Sequence, residues 1–295
     1  MPSLLKLVTS KSLIAYNGYD SGLGNRVRVV LGAKSLADLE HREFFFVWPI
    51  GPLFGPRMSD LWHFSGTTVT RAVSRVLARR WAYVDEKLEW LTDRKRREHL
   101  WQIRTGSPLQ LPAEARSWTD EFRALVPVSD IANTVTSIFD DHYRGVPYVG
   151  VMIRAHQVSH AKTIEASPVQ WFVDRMLELR ASAPDVPFFI SCDVPEVQER
   201  VMKTIPGCFA QSDKGPYNSV QAVRASVVDL YLLASAGYLL GPHFSSFIHL
   251  AEYLAGDILT METAVAGLSG AVDFTSAGLV EDPLRPAVRS GARTP

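Results

Sequence analysis

The sequence predicts an α/β protein whose second half forms a doubly wound parallel sheet. Two observations support this fold class. Apolar, β-branched runs of strand length alternate with segments of helix length through the second half of the chain. Several of these runs end directly in polar residues, as expected where parallel strands buried on both faces leave a sheet. The first half opens with a strand, a helix and a strand in the same pattern.

Length and composition bound the possible functions. A chain of 295 residues can form two domains of ordinary size, and 46% hydrophobic with 21% charged residues is typical of a soluble globular protein. The 31 basic residues balance 31 acidic ones, so we expect neither nucleic acid nor an anionic membrane as a partner. Cys192 and Cys208 have no metal-ligand spacing, which favours the cytoplasm. We expect no signal peptide and no integral membrane segment.

The chain after residue 144 is predicted to alternate strand and helix. The predicted strands span 147–153, 186–193, 207–211 and 237–242. The predicted helices span 167–180, 195–205, 218–237 and 243–256. A polar loop is expected between the first of these strands and the first of these helices. This alternation predicts a domain over 145–276, followed by a Pro-, Arg-, Gly- and Ser-rich stretch, 277–295, that we expect to be a disordered tail.

The first domain is predicted to span 1–144. A strand over 12–18, a helix over 25–39 and a strand over 43–48 form its opening unit. Gly22 and Gly24 in the connecting turn would leave backbone N–H groups available for an anion, although a tight turn that binds nothing is the alternative. The basic run 93–104 carries interleaved acidic residues nearby, which favours a solvated helix face over nucleic-acid binding.

Arg154 directly follows the predicted strand 147–153. The crevice outside the carboxyl ends of the strands is the usual ligand position in an open α/β sheet. A guanidinium there presents a planar fork of donors that suits a phosphate or a carboxylate group. The alternative is a structural arginine paired with a carboxylate of the protein.

Three more polar residues occupy positions where chemistry is expected. Asp229 lies in an apolar helical run, where a carboxylate needs donors. It either holds a helix N-terminus or an arginine, or it accepts two hydrogen bonds from a guanine base. Ser245 and Ser246 stand where a strand gives way to a helix, so they either cap that helix or bind phosphate. The histidines lack a metal-binding motif, and we expect no metal site.

Three stretches of the second half resemble one enzyme family. They are VGVMIRAHQ with the later Ser-Pro (149–168), FFISCDVPEV (188–197), and the run from NSVQAV to FIHLA (218–251). They are similar to the carboxy-terminal domain of the GDP-fucose-dependent fucosyltransferases of GT-B fold, which include the nodulation α1,6-fucosyltransferases and the protein O-fucosyltransferases. Residues 21–48 resemble the opening βαβ unit of that family. The resemblance implies two facing Rossmann-like domains with a nucleotide-sugar site in the cleft between them.

The resemblance also implies roles for individual residues. Arg154 matches the arginine that neutralises the β-phosphate of the nucleotide, and Ser245 and Ser246 match a phosphate-binding pair. Asp229 matches the carboxylate that reads guanine, and Asp193 matches the first acidic residue of the strand-end motif. The residues that match the turn lining the cleft on the acceptor side are Gly22, Gly24 and Asn25.

Two positions depart from the family pattern. The family usually has a histidine two residues before the arginine and often a second arginine directly after it, but this chain has Met152 and Ala155. The changes affect the identity of the base and sugar more than nucleotide binding, because His156 is near enough to replace a lost donor. The candidates for a general base are Glu165, His156 and His160. Glu165 is preferred because it lies just before the Ser-Pro helix start, and a solvated carboxylate is the alternative.

The sequence therefore leads to a glycosyltransferase that is independent of metals and cofactors. The resemblance implies that it is inverting and transfers fucose from a GDP-sugar to the hydroxyl of a glycan or small-molecule acceptor. One alternative is a non-catalytic nucleotide-binding protein that keeps the pocket. Another is a Rossmann-type transferase such as a methyltransferase, which is disfavoured because the strand over 43–48 ends without an acidic residue for a ribose.

Overall fold

The computed structural model describes residues 6–7, 9–18, 21–267 and 272–291, without the side chains of 158–160. The chain divides into two compact units, Met1–Val126 and Pro127–Pro295. Each unit contains a five-stranded sheet in which all strands are parallel.

The described elements are numbered here in chain order. The strands are β1 (Ser12–Tyr16), β2 (Glu43–Val47), β3 (Trp62–His63), β4 (Thr67–Thr68), β5 (Tyr83–Val84), β6 (Leu100–Arg104), β7 (Val126–Pro127), β8 (Val149–Ile153), β9 (Phe188–Cys192), β10 (Cys208–Ala210), β11 (Tyr238–Leu240), β12 (Thr260–Glu262), β13 (Leu279–Val280) and β14 (Arg289–Ser290). The helices are α1 (Leu23–Leu39), α2 (Arg71–Leu77), α3 (Asp93–Arg96), α4 (Trp118–Arg123), α5 (Ser129–His142), α6 (Gln157–Ala166), α7 (Val169–Ser182), α8 (Pro195–Thr204), α9 (Val220–Ala234) and α10 (Ser246–Leu254). A 3₁₀ turn covers Met58–Asp60.

The division between the units lies earlier in the chain than the predicted boundary after residue 144. Helix α5, which the sequence assigned to the first domain, packs against α9 of the second unit. Arg224 of α9 also pairs with Asp130 of α5, with 3.2 Å between Nη2 and Oδ2. The helix therefore belongs to the second unit, because its apolar face is buried there.

The first sheet has the strand order β4–β2–β1–β6–β5. The predicted strands and helix of the opening unit are present as β1, α1 and β2. The basic run 93–104 differs from the prediction, since only Asp93–Arg96 is helical and Leu100–Arg104 forms β6 beside β1. Its Trp101 is fully buried, with the guanidinium of Arg42 3.4 Å from the ring centroid. Pairing with a distant strand thus outweighs the helical spacing of the local charges.

The second sheet has the strand order β10–β9–β8–β11–β12. The predicted strands at 147–153, 186–193, 207–211 and 237–242 are present as β8, β9, β10 and β11. The chain runs outward from β8 through β9 and β10 and then returns to the other side of β8 as β11. This is the doubly wound order in which the direction reverses between β8 and β11. The prediction of a loop between Arg154 and Ser167 is wrong, because this segment forms helix α6.

The stretch 277–295 was predicted to be disordered, and its described part differs from that prediction. Strands β13 and β14 pair in antiparallel fashion. Arg289 donates hydrogen bonds to the backbone oxygens of Ala234 and Ala236 at the end of α9. Burial lowers the pKa of this arginine to about 10. One partly buried cation therefore anchors the segment, which composition did not reveal. The residues after 291 lie outside the described residues.

Burial of β8 fixes where the loop after this strand begins. All five residues of this strand are buried, between apolar side chains of α7 such as Phe172 and of α9 such as Leu233. A Cβ atom at Gly150 would lie 2.9 Å from a methyl carbon of Leu239, so β11 approaches closely.

No helix among the described residues is both long enough and apolar enough to cross a membrane.

Candidate nucleotide site

The candidate site lies at the carboxyl ends of β8 and β11. These strands are neighbours in the sheet, with Val151 opposite Leu240, and the order of the strands reverses between them. The loop after β8 begins with Arg154. The loop after β11 is tied to the end of α6, because the backbone N–H of His243 donates to Oγ of Ser167 at 2.8 Å. Ligands of doubly wound sheets bind in the crevice at this reversal point.

Asp193, which follows β9, organises the loop after β8. Its Oδ1 accepts hydrogen bonds from the backbone N–H groups of Ala155 at 2.7 Å and His156 at 3.2 Å. Its Oδ2 accepts from Nη1 of Arg154 at 3.3 Å. The structure thus contains the arginine–carboxylate pair that the sequence offered as the alternative for Arg154. In this structure Asp193 supports the loop after β8.

Arg154 nevertheless keeps donors beyond this pair. The bond to Asp193 uses Nη1 only, and the buried Nε has no hydrogen-bond partner among the described residues. The guanidinium carbon lies 5.4 Å from the ring centroid of Phe247 in α10. The side chain is 19% exposed, so it is held but reachable. A buried N–H without a partner costs free energy, and a ligand oxygen would satisfy it.

His156 is the N-cap residue of helix α6, and its ring stacks on a residue that the sequence did not reveal. Its ring lies parallel to that of Tyr217, with centroids 4.1 Å apart and planes 6° apart. Its buried Nδ1 has no hydrogen-bond partner among the described residues. The structure therefore places an imidazole with an open nitrogen two residues after Arg154. Tyr217 gave no sequence signal, because it lies in a loop without a motif.

Ser245 and Ser246 lie at the start of α10, as the sequence predicts. Ser245 occupies the N-cap position, but its side chain makes no capping hydrogen bond. Its Oγ instead lies 4.0 Å from Sδ of Met152 in β8, and the residue is 7% exposed. Ser246 is exposed at the first position of the nine-residue helix. The hydroxyl of Ser245 thus lies beside β8, where it donates to Met152 instead of capping α10.

Asp229 is buried in the middle of α9 and has several donors. Oγ of Ser191 and Nζ of Lys214 each donate to Oδ2 at 2.7 Å, and Nε2 of Gln211 donates to Oδ1. The sequence required donors for this carboxylate but suggested an arginine or a helix N-terminus. The lysine was missed because it lies in an irregular loop. To accept two hydrogen bonds from a base, Asp229 must exchange some of these partners.

Lys214 belongs to a loop with unusual backbone geometry. Asp213, Gly215 and Asn218 have φ values of 48°, 74° and 61°, in the left-handed region. For the two residues with a Cβ atom, that conformation is maintained at a cost in free energy. Nζ of Lys214 also donates to the backbone oxygen of Cys192 at 3.4 Å. The loop is thus fastened to both α9 and β9 through one ammonium group.

Glu165 does not occupy the loop that the sequence predicted. It lies in the last turn of α6 and is exposed. Its carboxylate is therefore accessible to a substrate. Its role remains a prediction.

The residues predicted to form the turn on the acceptor side lie in the first unit. Gly22 is the N-cap of α1, and Gly24 and Asn25 belong to its first turn. The buried Arg26 fixes this turn, donating from Nε to the backbone oxygen of Ser21 at 2.7 Å and from Nη1 to that of Pro49 at 2.6 Å. The start of a 17-residue helix with no acidic residue in its first turn suits an anion or a polar group.

The described residues contain no group of three His, Cys, Asp or Glu side chains placed to hold a metal ion. No protein-family model matches the chain, and no curated protein matches it significantly.

Solved structures, in contrast, do match. The chain is similar to NodZ α-1,6-fucosyltransferase soaked with GDP-fucose, with a TM-score of 0.57, 16% identity, and coverage of 83% of this chain and 92% of that one. It is also similar to POFUT1 in complex with GDP, with a TM-score of 0.54, 11% identity, and coverage of 86% and 98%. A third similar structure is a mutant of Arabidopsis thaliana FUT1 in complex with GDP. Its TM-score is 0.56 and its identity 13%, with coverage of 94% of this chain and 76% of that one. These likenesses confirm the predicted α/β fold class of GT-B type.

Proposed function

We propose that this chain, which has the fold of the GDP-fucose fucosyltransferases, transfers a sugar from a GDP-sugar to an acceptor hydroxyl, with fucose as the sugar. Arg154 carries the proposal. It lies at the reversal point of the second sheet, Asp193 fixes its loop, and its Nε has no partner among the described residues. The neighbouring α10 begins with two serines. This arrangement supports a diphosphate site, and NodZ and POFUT1 were solved with GDP-fucose and GDP.

The chemistry follows from charge. The acceptor oxygen attacks the anomeric carbon, the bond from that carbon to the β-phosphate oxygen breaks, and GDP leaves with the electron pair. Arg154 stabilises the charge that develops on the phosphate, so its contribution is larger in the transition state than in the ground state. The acceptor proton passes to a base, for which Glu165 is our candidate. Attack opposite the leaving group inverts the anomeric configuration.

A thermal-shift panel tests the proposal. GDP, UDP, GDP-fucose, GDP-mannose and S-adenosylmethionine are added separately, because a ligand that favours the folded state at 100 times its Kd stabilises it by about 2.7 kcal/mol. We expect GDP and GDP-fucose to raise Tm most. Stabilisation by S-adenosylmethionine alone would favour a methyltransferase.

An assay of GDP release from the sugar donor separates an enzyme from a binding protein. GDP-fucose is incubated with the protein and a mixture of candidate glycan acceptors, and free GDP is measured with and without EDTA. We expect GDP release that EDTA does not change, because arginine, serine hydroxyls and a helix N-terminus supply the positive potential. Binding of GDP-fucose without turnover would favour the non-catalytic alternative.

A further inference from the structure

A cavity lies within the first unit, apart from the residues assigned to the nucleotide site. It has a volume of about 590 Å³ and is bordered by the carboxyl ends of the parallel neighbours β2 and β4. Small-molecule sites have volumes of roughly 300–1,000 Å³ and are common at this end of parallel sheets. None of the residues assigned to the nucleotide site lines this cavity.

One wall of the cavity is aromatic. The rings of Phe46 and Phe64 meet edge to face with centroids 5.5 Å apart, and those of Phe46 and Trp48 meet at 6.2 Å. Gly66 completes this wall. A Cβ atom there would lie 2.7 Å from a ring carbon of Phe64 and 2.9 Å from one of Phe46, so the rings fill the space that a side chain would need. The shape of the wall therefore depends on the glycine.

The charged residues that line the cavity are Arg57 and Arg71, and the lining contains no carboxylate among the described residues. Hydroxyl groups come from Ser59, Thr68 and Thr70. The cavity thus combines an apolar ring surface, hydroxyls and two guanidinium groups. Guanidinium groups match planar carboxylates with paired hydrogen bonds.

We propose that this cavity binds a carboxylated sugar ring, such as a uronic acid, as part of the acceptor. The ring's apolar face packs on the aromatic wall, its hydroxyls meet the hydroxyl groups of the lining, and its carboxylate pairs with arginine. The role of this ligand as acceptor rests on the proposed function. Its binding does not, because binding requires only the first unit's cavity.

Calorimetric titration with two matched disaccharides tests the charge. Cellobiouronic acid and cellobiose differ only in the carboxylate, and we expect the acid to bind at least ~10-fold more tightly to the wild type, with a preference that salt weakens. Arg57→Gln and Arg71→Gln should each reduce the preference. Arg75→Gln is the control, because Arg75 is exposed on the same helix as Arg71 but lies outside the cavity.

Gly66→Ala tests the shape without changing the charge. The added methyl group must displace an aromatic ring, so both disaccharides should bind more weakly while thermal unfolding still shows a folded protein. Equal affinity of the wild type for the acid and the neutral sugar would overturn the proposal, as would an equal loss in Arg75→Gln. If Arg71→Gln fails to fold, the exposed Arg57 provides the charge test alone.

GDP is titrated into the same samples. If the protein binds GDP but neither sugar, only the cavity assignment is overturned. If the protein binds the acid but not GDP, the proposed nucleotide-sugar function and the acceptor role are overturned, whereas the cavity assignment stands.

Discussion

The ammonium group of Lys214 lies 2.7 Å from Oδ2 of Asp229, and the two side chains are only 15% and 3% exposed. The pair joins an irregular loop to the centre of α9. Breaking a buried ion pair by removing one partner leaves an uncompensated charge, which is more costly than losing a surface pair. The stability of the second unit therefore involves this contact, and so would the proposed recognition of guanine by Asp229.

Lys214→Met should lower the free energy of unfolding by about 3 kcal/mol, near the lower end for a broken buried pair, because Ser191 and Gln211 still donate to Asp229. Denaturant unfolding measures the change. Lys203→Met is the control, since that side chain is 81% exposed and 3.9 Å from Glu199, and it should change stability by less than ~0.5 kcal/mol. Equal effects of the two substitutions would mean that the Lys214 pair contributes no more than a surface pair.

Asp229→Asn should abolish the preference for GDP over UDP. The amide keeps the shape of the side chain but replaces one acceptor oxygen by a donor, which would face the N–H groups of guanine. Calorimetric titration of both nucleotides into wild type and variant measures the preference. An unchanged preference for GDP would leave Asp229 with a structural role only.

The local pattern of the sequence was sufficient for the strands that end at the site. Strand β8 is a short apolar run directly followed by Arg154. The burial of the strand and the position of the arginine at its end could therefore be predicted from the local sequence. The partner of Asp229 could not be predicted in this way. Burial showed that the carboxylate needs donors, but a loop residue such as Lys214 reaches α9 only through the folded chain.

Two of the errors in the fold also come from contacts between residues far apart in sequence. Strand β6 lies in a run of helical charge spacing, and its pairing with β1 joins residues far apart in sequence. Arg289 likewise anchors the end of the described chain beside α9 by donating to backbone oxygens, and no sequence motif predicts these contacts. Helix α6 was missed because Gln157–Ala166 has weak apolar periodicity.

Glu165→Gln should bind GDP as the wild type does but turn over at least ~100-fold more slowly, which is the lower range for loss of a general base. Single-turnover assays with GDP-fucose, once an acceptor has been found, measure the rate. Glu199→Gln is a matched exposed control on α8 and should retain the full rate. Full turnover in Glu165→Gln would assign the proton to another group or to water.

The thiol of Cys192 should make the fold sensitive to alkali. Burial raises its pKa from about 9 to about 11. Between these values the unfolded chain loses the proton while the folded chain keeps it, so stability is complete below pH 9 and falls as pH rises. Two pKa units correspond to about 2.7 kcal/mol. Unfolding measured from pH 8 to pH 11 should show a smaller loss for Cys192→Ala than for wild type, and parallel curves would contradict the assignment.

The most direct test of the nucleotide site compares GDP with GMP. Arg154 is proposed to bind the β-phosphate, which GMP lacks, and lysine keeps the charge of arginine but not its planar fork. Calorimetric titration should show that wild type binds GDP more tightly than GMP. Arg154→Lys, shown to be folded by thermal unfolding, should have a smaller preference for GDP and lose most of the transferase activity. Wild-type affinity for GDP in Arg154→Lys, or no preference for GDP over GMP in the wild type, would contradict the proposed site.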